Sequence, residues 1–305
     1  MMIDKLNDDC ALEVEKLVKE VLPFFKERAN GVFWLSLDFR TMLLTLKVPA
    51  KQAEEFTDYF MKQLLIAVGP QATILVPAFN LEFPSSKEFD VTTSGTMTGA
   101  FGGLLVKRYP VKRLAHPFYS FLAFGEKAPE FLRKKFPHST GPGSVFEWIM
   151  DHETQLIVIG HHYVKSLTNV HHAEDLAGVK YRYRKPFKGT VIDAEGRAMQ
   201  TTCSFFVREL ETCDFSSVTE RGDRILRQKD IVRALYVSQF DRHFIIYTLN
   251  LTELHDLFMK DLEQVEPELI DYFGPQRENV DVITAKVADQ LYSRELGYFK
   301  NQLSA

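Results

Sequence analysis

Hydrophobic residues in the first quarter of the chain follow two alternating spacings. Residues 11–28 and 51–68 carry apolar side chains at every third or fourth position, the spacing of a helix with one buried face. Residues 31–37 and 72–76 are short apolar runs, typical of strands that are buried on both faces. Strands separated by helices predict an α/β fold in which helices cover a central sheet.

The pattern continues, less regularly, towards the C-terminus. Ser144 precedes an apolar run and is a candidate N-cap for a helix over residues 145–151. Further predicted strands lie at 155–159, 201–209, 234–237 and 243–249, and further predicted helices at 127–136, 253–264 and 267–273. Pro267 would stand in the first turn of the last helix, where its missing N–H costs nothing. We therefore expect a layered α/β/α sandwich around a mixed central sheet, one domain over residues 1–305 with peripheral additions.

Composition narrows the class of protein. The 305 residues are 45% hydrophobic and carry a net charge of −4, which argues against a nucleic-acid partner held by a broad basic surface. No uncharged apolar run reaches about 18 residues, so no membrane span is expected. The acidic N-terminus is unlike a signal peptide. Three cysteines without paired spacing, Cys10, Cys203 and Cys213, indicate reduced thiols and a cytoplasmic location.

Polar chemistry is concentrated directly after the predicted strand at 155–159. Ligand sites in open α/β sheets lie beyond the carboxyl ends of strands, and this strand is followed by His161, His162, His171 and His172. An imidazole, with an ordinary pKa of roughly 6.5, exchanges a proton near neutral pH. The segment therefore predicts a proton-transfer site.

The second histidine pair belongs to a predicted helix that Thr168 or Asn169 would cap. Glu174 follows His171 by three residues and would share its face. The alternative interpretation is a polar cluster at a helix start around a buried, hydrogen-bonded histidine. A metal site is disfavoured because Asp175, not a histidine, stands four residues after His171, and no metal is expected.

Five segments, in order, resemble the aminoglycoside 3-N-acetyltransferase family. They are ATILVPAFN (72–80), TTSGTMTGAF (92–101), LAHPFYSFLAFGEKA (114–128), GPGSVFEWI (141–149) and SLTNVHHAEDLAGVKYRYRK (166–185). The resemblance implies transfer of an acetyl group from acetyl-CoA to a primary amine of a small molecule. It also implies that His171 is the catalytic general base and that Glu174, or another carboxylate, orients its ring. A further carboxylate, beyond Glu174, is expected to complete the site from among Glu209, Glu211 and Asp214, with ordinary surface acids as the alternative.

Contacts to both ligands are expected around these segments. Phosphates need cations or backbone donors, and small residues permit close approach to a pantetheine arm. The candidates for CoA contact are Ser36, Lys107, Arg108, His116, Ser120, Gly141, Gly143 and Ser144. The candidates for acceptor contact are Lys165, Thr168, Asp175, Arg182 and Arg184. For the basic residues, a solvated surface is the alternative.

Two departures from the family pattern bear on the substrate. Lys165 stands where the family commonly has an aspartate, and Trp34, Leu35 and Ser36 stand where it has His-Ser-Ser. A lysine would repel a polyamine, so the sequence favours a less cationic acceptor, such as an amino sugar, a nucleotide-linked amino sugar or an aminophosphonate. Two other functions remain open, a histidine-cluster hydrolase or metal-assisted enzyme, and a non-catalytic member of the fold. A carrier-protein donor and the oligomeric state also remain open.

Overall fold

The computed structural model describes residues 6–28, 30–274 and 280–303, so the first five residues of the acidic N-terminal segment lie outside it. The helices are α1 Asp8–Lys26, α2 Phe39–Thr45, α3 Ala53–Val68, α4 Phe83–Ser86, α5 Ala100–Arg108, α6 Ala128–Arg133, α7 Val145–Asp151, α8 Val170–Ala177, α9 Glu220–Gln228, α10 Leu251–Leu262 and α11 Val280–Leu303. The strands are β1 Val32–Leu37, β2 Thr73–Pro77, β3 Glu88–Asp90, β4 Phe121–Gly125, β5 Gln155–Ile159, β6 Arg182–Ile192, β7 Ala198–Arg208, β8 Phe215–Val218, β9 Arg233–Val237, β10 Phe244–Asn250 and β11 Ile270–Phe273.

The central sheet has six strands in the order β4–β2–β1–β5–β10–β9. Strand β1 is parallel to both of its neighbours, whereas β4, β10 and β9 join antiparallel. Successive side chains of a strand point to opposite faces, so one strand contributes side chains to the hydrophobic cores on both faces of the sheet. In β1, Trp34 packs into one core and Phe33 and Leu35 into the other. The predicted mixed sheet between two helical layers is confirmed.

The two layers differ in what they hold. Helices α1, α3 and α5 cover the face that receives Phe33, and their buried side chains are almost entirely apolar. Helices α7, α8 and α10 cover the face of Trp34. A three-stranded sheet, β3–β6–β7, and the pair β8–β11 lie beside this second layer. None of the helices within the described ranges is long and apolar enough to cross a membrane.

The prediction of a helix over 267–273 is wrong. Residues Ile270–Phe273 form strand β11, which pairs antiparallel with β8. The carboxylate of Asp261 accepts the backbone N–H groups of Glu268 and Leu269 at 2.9 and 2.8 Å, and so occupies donors at the start of the segment. Pairing with β8 gives this segment hydrogen bonds along its length. A seven-residue helix is only marginally stable on its own, so the strand is favoured.

Helix α11, which the sequence pattern did not predict, is attached by a charged network. Arg227 of α9 contacts Glu295 of α11 at 2.7 Å and Asp223 at 2.9 Å. The hydroxyls of Tyr247 and Tyr163 donate to Glu295 and Asp223, each at 2.6 Å. The network fixes α11 beside the short 3-10 turn Tyr163–Ser166, which leads into α8.

Candidate active site

His171 and Glu174 form a hydrogen-bonded pair on α8. The helix places them three residues apart on one face, and His171 Nδ1 lies 2.7 Å from Glu174 Oε2. An ionised carboxylate can only accept, so Nδ1 carries the proton and Nε2 presents a lone pair. The Glu174 side chain is fully buried while that of His171 is 20% exposed, so only the histidine reaches solvent.

Two further groups hold the Glu174 carboxylate. Tyr181 donates its hydroxyl at 3.1 Å, and Arg182 places Nε 3.1 Å from Oε2. Burial, and next the positive charge of Arg182, lower the pKa of His171, although Glu174 opposes both. Burial by itself would raise the pKa of Glu174, but the contacts with His171 and Arg182 hold that pKa below the usual range. Since the His171 ring is neutral at pH 7, Arg182 and the hydrogen bonds keep Glu174 ionised.

A cavity of about 940 Å³ opens in front of this pair. Its walls come from the segment that enters α8, from the β6–β7 hairpin and its following loop, and from β8. Lys165, Thr168, His171 and Arg182, four of the predicted residues, line it. Glu209 and Glu211, two of the candidate carboxylates, line it as well, but the acid in contact with His171 is Glu174.

Asp175 and Arg184 form an ion pair at 2.9 Å and lie outside the cavity wall. The loop with Gly141 and Gly143 packs on this side of α8. Thr140 Oγ1 donates to Asp175 at 2.7 Å, and the Gly141 N–H donates to His172 Nδ1 at 3.0 Å. The loop therefore supports α8.

Ser144 caps α7, as its position before an apolar run predicts. Its hydroxyl accepts the Glu147 N–H at 3.2 Å. Its side chain is buried and does not line the cavity.

Lys107 and Arg108 lie in the other helical layer. They stand in the last turn of α5, where Arg108 pairs with Asp58 at 3.2 Å and Lys107 with Glu54 at 3.7 Å. Both partners belong to α3, on the face of the sheet that does not contribute to the cavity. We therefore do not include these two residues in the site.

The four clustered histidines diverge. His161 contacts Ser166 at 3.0 Å and Ser36 at 3.4 Å, beyond the ends of β1 and β5. His162 lies 3.3 Å from Arg227. Burial lowers the pKa of His161 to about 4 and those of His162 and His172 to about 3, so these rings stay neutral. Among the residues that the structure describes, no three His, Cys, Asp or Glu side chains are grouped to hold a metal ion.

His116 and Ser120 are buried supports for a loop. His116 Nδ1 accepts the N–H groups of Phe118 and Tyr119, at 3.2 and 2.9 Å. Ser120 donates to the Leu114 carbonyl and accepts from Arg113, at 2.8 and 3.2 Å. Neither residue lines the cavity.

Arg113 is a buried anchor that the sequence pattern did not identify. It is 3% exposed and also donates to four backbone carbonyls of the 78–95 region. The basic run that includes it, 107–113, is compatible with contact to CoA phosphates or a charged substrate and equally with a solvated surface. Nothing in the sequence separates this arginine from its solvated neighbours.

Several polar residues at the site also went unpredicted. Tyr119, Arg208 and Ser216 line the cavity, and Tyr181 contacts Glu174. Tyr181 follows Glu174 closely in sequence, which is the one feature that could have suggested it. The others come from distant segments and meet α8 only in the fold.

A three-layer α/β fold thus carries a carboxylate-paired histidine at a large cavity, and histidine is the side chain that enzymes use most often for proton transfer. Residues 50–245, more than half of the chain, match the model of the aminoglycoside 3-N-acetyltransferase family, and the chain belongs to that family. It is an acetyl-CoA-dependent N-acetyltransferase. The match confirms the family resemblance of the five segments. No curated protein matches the chain.

Solved structures share the fold. AAC-VIa bound to sisomicin superposes with a TM-score of 0.61 at 18% identity, over 82% of this chain and 97% of that one. Aminoglycoside acetyltransferase AAC(3)-IIb gives a TM-score of 0.63 at 18% identity, over 83% and 97%. The YokD protein from Bacillus subtilis gives 0.58 at 17% identity, over 81% and 97%. At such identities the likeness establishes the fold and leaves the substrate open.

Proposed function

We propose that this enzyme moves the acetyl group of acetyl-CoA to a primary amine of a small molecule by direct attack, with His171 as general base. The observation that carries the proposal is the contact between His171 Nδ1 and the buried Glu174, which leaves Nε2 as the proton acceptor of a ring that lines the cavity. Glu174 is the positioning residue for this base.

The proposed reaction needs one base and no covalent enzyme intermediate. The amine nitrogen attacks the thioester carbonyl carbon while Nε2 of His171 removes a proton from that nitrogen. The carbonyl oxygen becomes an oxyanion. When it collapses, the C–S bond breaks, the amide remains, and the leaving CoA sulfur takes the proton back from the imidazolium. A pKa of His171 below its ordinary value suits this role, because the ring is unprotonated when the amine arrives.

The thiols support direct attack over an acetylated enzyme. Cys10, Cys203 and Cys213 are all buried, and none of them is among the described residues that line the cavity. Burial raises the pKa of Cys203 to about 12, so its reactive thiolate is scarce at neutral pH.

The charges around the cavity favour an acceptor that is not a polycation. Its lining residues include the cations Lys165, Arg182, Lys185 and Arg208, and the anions Glu209 and Glu211. Lys165 is itself paired with Asp289 of α11. Arg182 is likewise paired with the buried Glu174, so the remaining cations and anions of the lining are balanced. A cavity without an excess of acidic groups does not concentrate several ammonium groups and accommodates a single amine. We therefore place an amino sugar or a nucleotide-linked amino sugar ahead of an aminoglycoside.

The test incubates the enzyme with acetyl-CoA and a panel of amines and measures the released CoA with a thiol reagent. The panel contains a neutral amino sugar, a nucleotide-linked amino sugar and an aminoglycoside. We expect turnover with one of the first two and a loss of roughly 10²- to 10⁴-fold in His171→Ala, the range that a positioned base contributes. His243→Ala, a histidine change at the β9–β10 connection away from the cavity, is the matched control and should keep wild-type turnover.

Calorimetric titration of acetyl-CoA separates binding from chemistry. His171→Ala should bind acetyl-CoA as the wild type does, because the base acts on the amine. Wild-type turnover by folded His171→Ala would refute the assignment of the base. Failure of the wild type to bind acetyl-CoA would refute the donor.

A further inference from the structure

Tyr119 is a rigid aromatic residue with an unused hydroxyl in the cavity wall. Its ring centroid lies 5.0 Å from those of both Phe79 and Phe146 and 5.5 Å from that of Phe205. Its backbone N–H donates to His116 at 2.9 Å. The residue is 6% exposed and yet lines the same cavity as His171. The ring is therefore held by packing, and only its edge faces the ligand space.

The hydroxyl of Tyr119 differs from those of three other tyrosines in this layer. Tyr181 donates to Glu174, Tyr163 to Asp223 and Tyr247 to Glu295. Tyr119 makes no side-chain hydrogen bond with any residue that the structure describes, and its oxygen is not among the fully enclosed unpaired atoms. Phenylalanine would fill the same space without a polar group to satisfy, so no folding contact accounts for the hydroxyl.

We propose that Tyr119 is a catalytic residue whose hydroxyl donates a hydrogen bond to the thioester carbonyl oxygen and stabilises the oxyanion that forms there. The inference rests on the proposed transfer from acetyl-CoA, because that reaction creates a negative charge on this oxygen. No proton leaves Tyr119: the amine proton still goes to His171 and then to the sulfur.

The surroundings keep Tyr119 in the form that donates. Burial raises the pKa of its hydroxyl, and the nearby negative charge of Glu174 acts in the same direction, while Arg182 opposes them. The phenol is therefore protonated at neutral pH. A fixed donor in a partly dry cavity is most effective where charge develops in the transition state.

The experiment compares Tyr119→Phe with the wild type in the CoA-release assay. We expect kcat to fall by on the order of 10²-fold, the loss seen when one oxyanion donor is removed, with little change in the Kd of acetyl-CoA or the KM of the acceptor. The thermal midpoint should stay the same or rise, because no protein hydrogen bond is lost. Tyr298→Phe, at an exposed tyrosine of α11 that does not line the cavity, is the matched control and should keep wild-type kcat.

A spectroscopic readout is independent of turnover. The ketone analogue of acetyl-CoA, in which a methylene replaces the sulfur, keeps the carbonyl and cannot react. Its infrared carbonyl stretch should move to lower frequency on binding the wild type and move less on binding Tyr119→Phe.

The outcomes distinguish the two proposals. Wild-type turnover with unchanged kcat in Tyr119→Phe, or a loss confined to the KM of the acceptor, would overturn the role of Tyr119 and leave the transfer reaction intact. Absence of both turnover and a carbonyl shift in the wild type would overturn both.

Discussion

Glu174 has no contact with solvent and is held by polar side chains. His171, Tyr181 and Arg182 each use one of its carboxylate oxygens. A buried carboxylate is costly unless it is fully paired, and here the pairing also sets the tautomer of the base. The residue thus links the stability of the site to its chemistry.

Replacement of Glu174 by glutamine should change the pH dependence of the rate. The negative charge that raises the pKa of His171 is lost while Arg182, which lowers it, remains. The acidic limb of the kcat/KM profile should therefore move to lower pH. The plateau should fall by roughly 10²- to 10⁴-fold, because the ring is no longer held in one tautomer.

A pH profile from pH 5 to 9 checks this expectation. Asp175→Asn makes the same chemical change one residue later, in the pair with Arg184 outside the cavity wall. It should leave the position of the limb unchanged. A limb that stays in place in Glu174→Gln would show that Glu174 does not act on the base.

Helix α8 is supported at two glycines with similar backbone conformations. Gly178 follows its C-terminus with φ of 65°, and Gly141 approaches its side with φ of 68°. A Cβ on Gly178 would meet no atom within 4 Å. A Cβ on Gly141 would overlap the guanidinium of Arg184 and lie 2.7 Å from Asp175 Oδ2.

The two alanine variants should therefore separate backbone cost from crowding. Gly178→Ala should cost about 1–2 kcal/mol in the free energy of unfolding, the cost of a left-handed conformation for a residue with a Cβ. Gly141→Ala should cost about 1–3 kcal/mol more, because the Asp175–Arg184 pair must move. Urea unfolding measures both. Equal losses in the two variants would mean that the loop does not press on α8 as described.

The protein as a whole buries several neutral histidines. Burial is the main cause that lowers the pKa values of His116 and His161 to about 4, and those of His162 and His172 to about 3. In the unfolded chain the same rings titrate near their ordinary value, roughly 6.5. Between these values the unfolded state binds more protons than the folded state.

Stability should therefore fall as the pH drops below about 6.5 and continue to fall towards pH 4, with no contribution from these rings above that range. Each histidine adds a slope of up to about 1.4 kcal/mol per pH unit. Urea unfolding at pH 7.5, 6.5, 5.5 and 5.0 measures the total. His116→Gln should reduce this slope by the contribution of one histidine, up to about 1.4 kcal/mol per pH unit. A free energy of unfolding that is constant over this range would contradict the expectation.

The elements that the sequence predicted correctly are those whose own side chains form the core. The apolar runs at 31–37, 72–76 and 155–159 became β1, β2 and β5, because they are buried on both faces wherever they pack. Helix α9 was not predicted, since its buried face includes Gly222 and Asp223. An aspartate is compatible with burial there only because Arg227 and Tyr163 pair with it.

For the site, the sequence by itself determined the contacts between residues that are a few positions apart in the chain. A helix brings His171 and Glu174 together three residues apart, and a serine before an apolar run caps a helix, because both contacts depend on a single turn of backbone. The family likeness of the five segments added the reaction, and with it the acetyl donor.

Only the tertiary structure decided which charged and aromatic residues share the cavity. Lys107 and Arg108 pair with α3 on the face of the sheet opposite the cavity, whereas Arg182, Arg208 and Ser216 meet α8 from separate strands. Tyr119 becomes a free donor because three aromatic rings enclose its ring and no carboxylate reaches its oxygen. Such contacts join residues far apart in the chain, and their energies depend on burial and pairing, which local sequence does not encode.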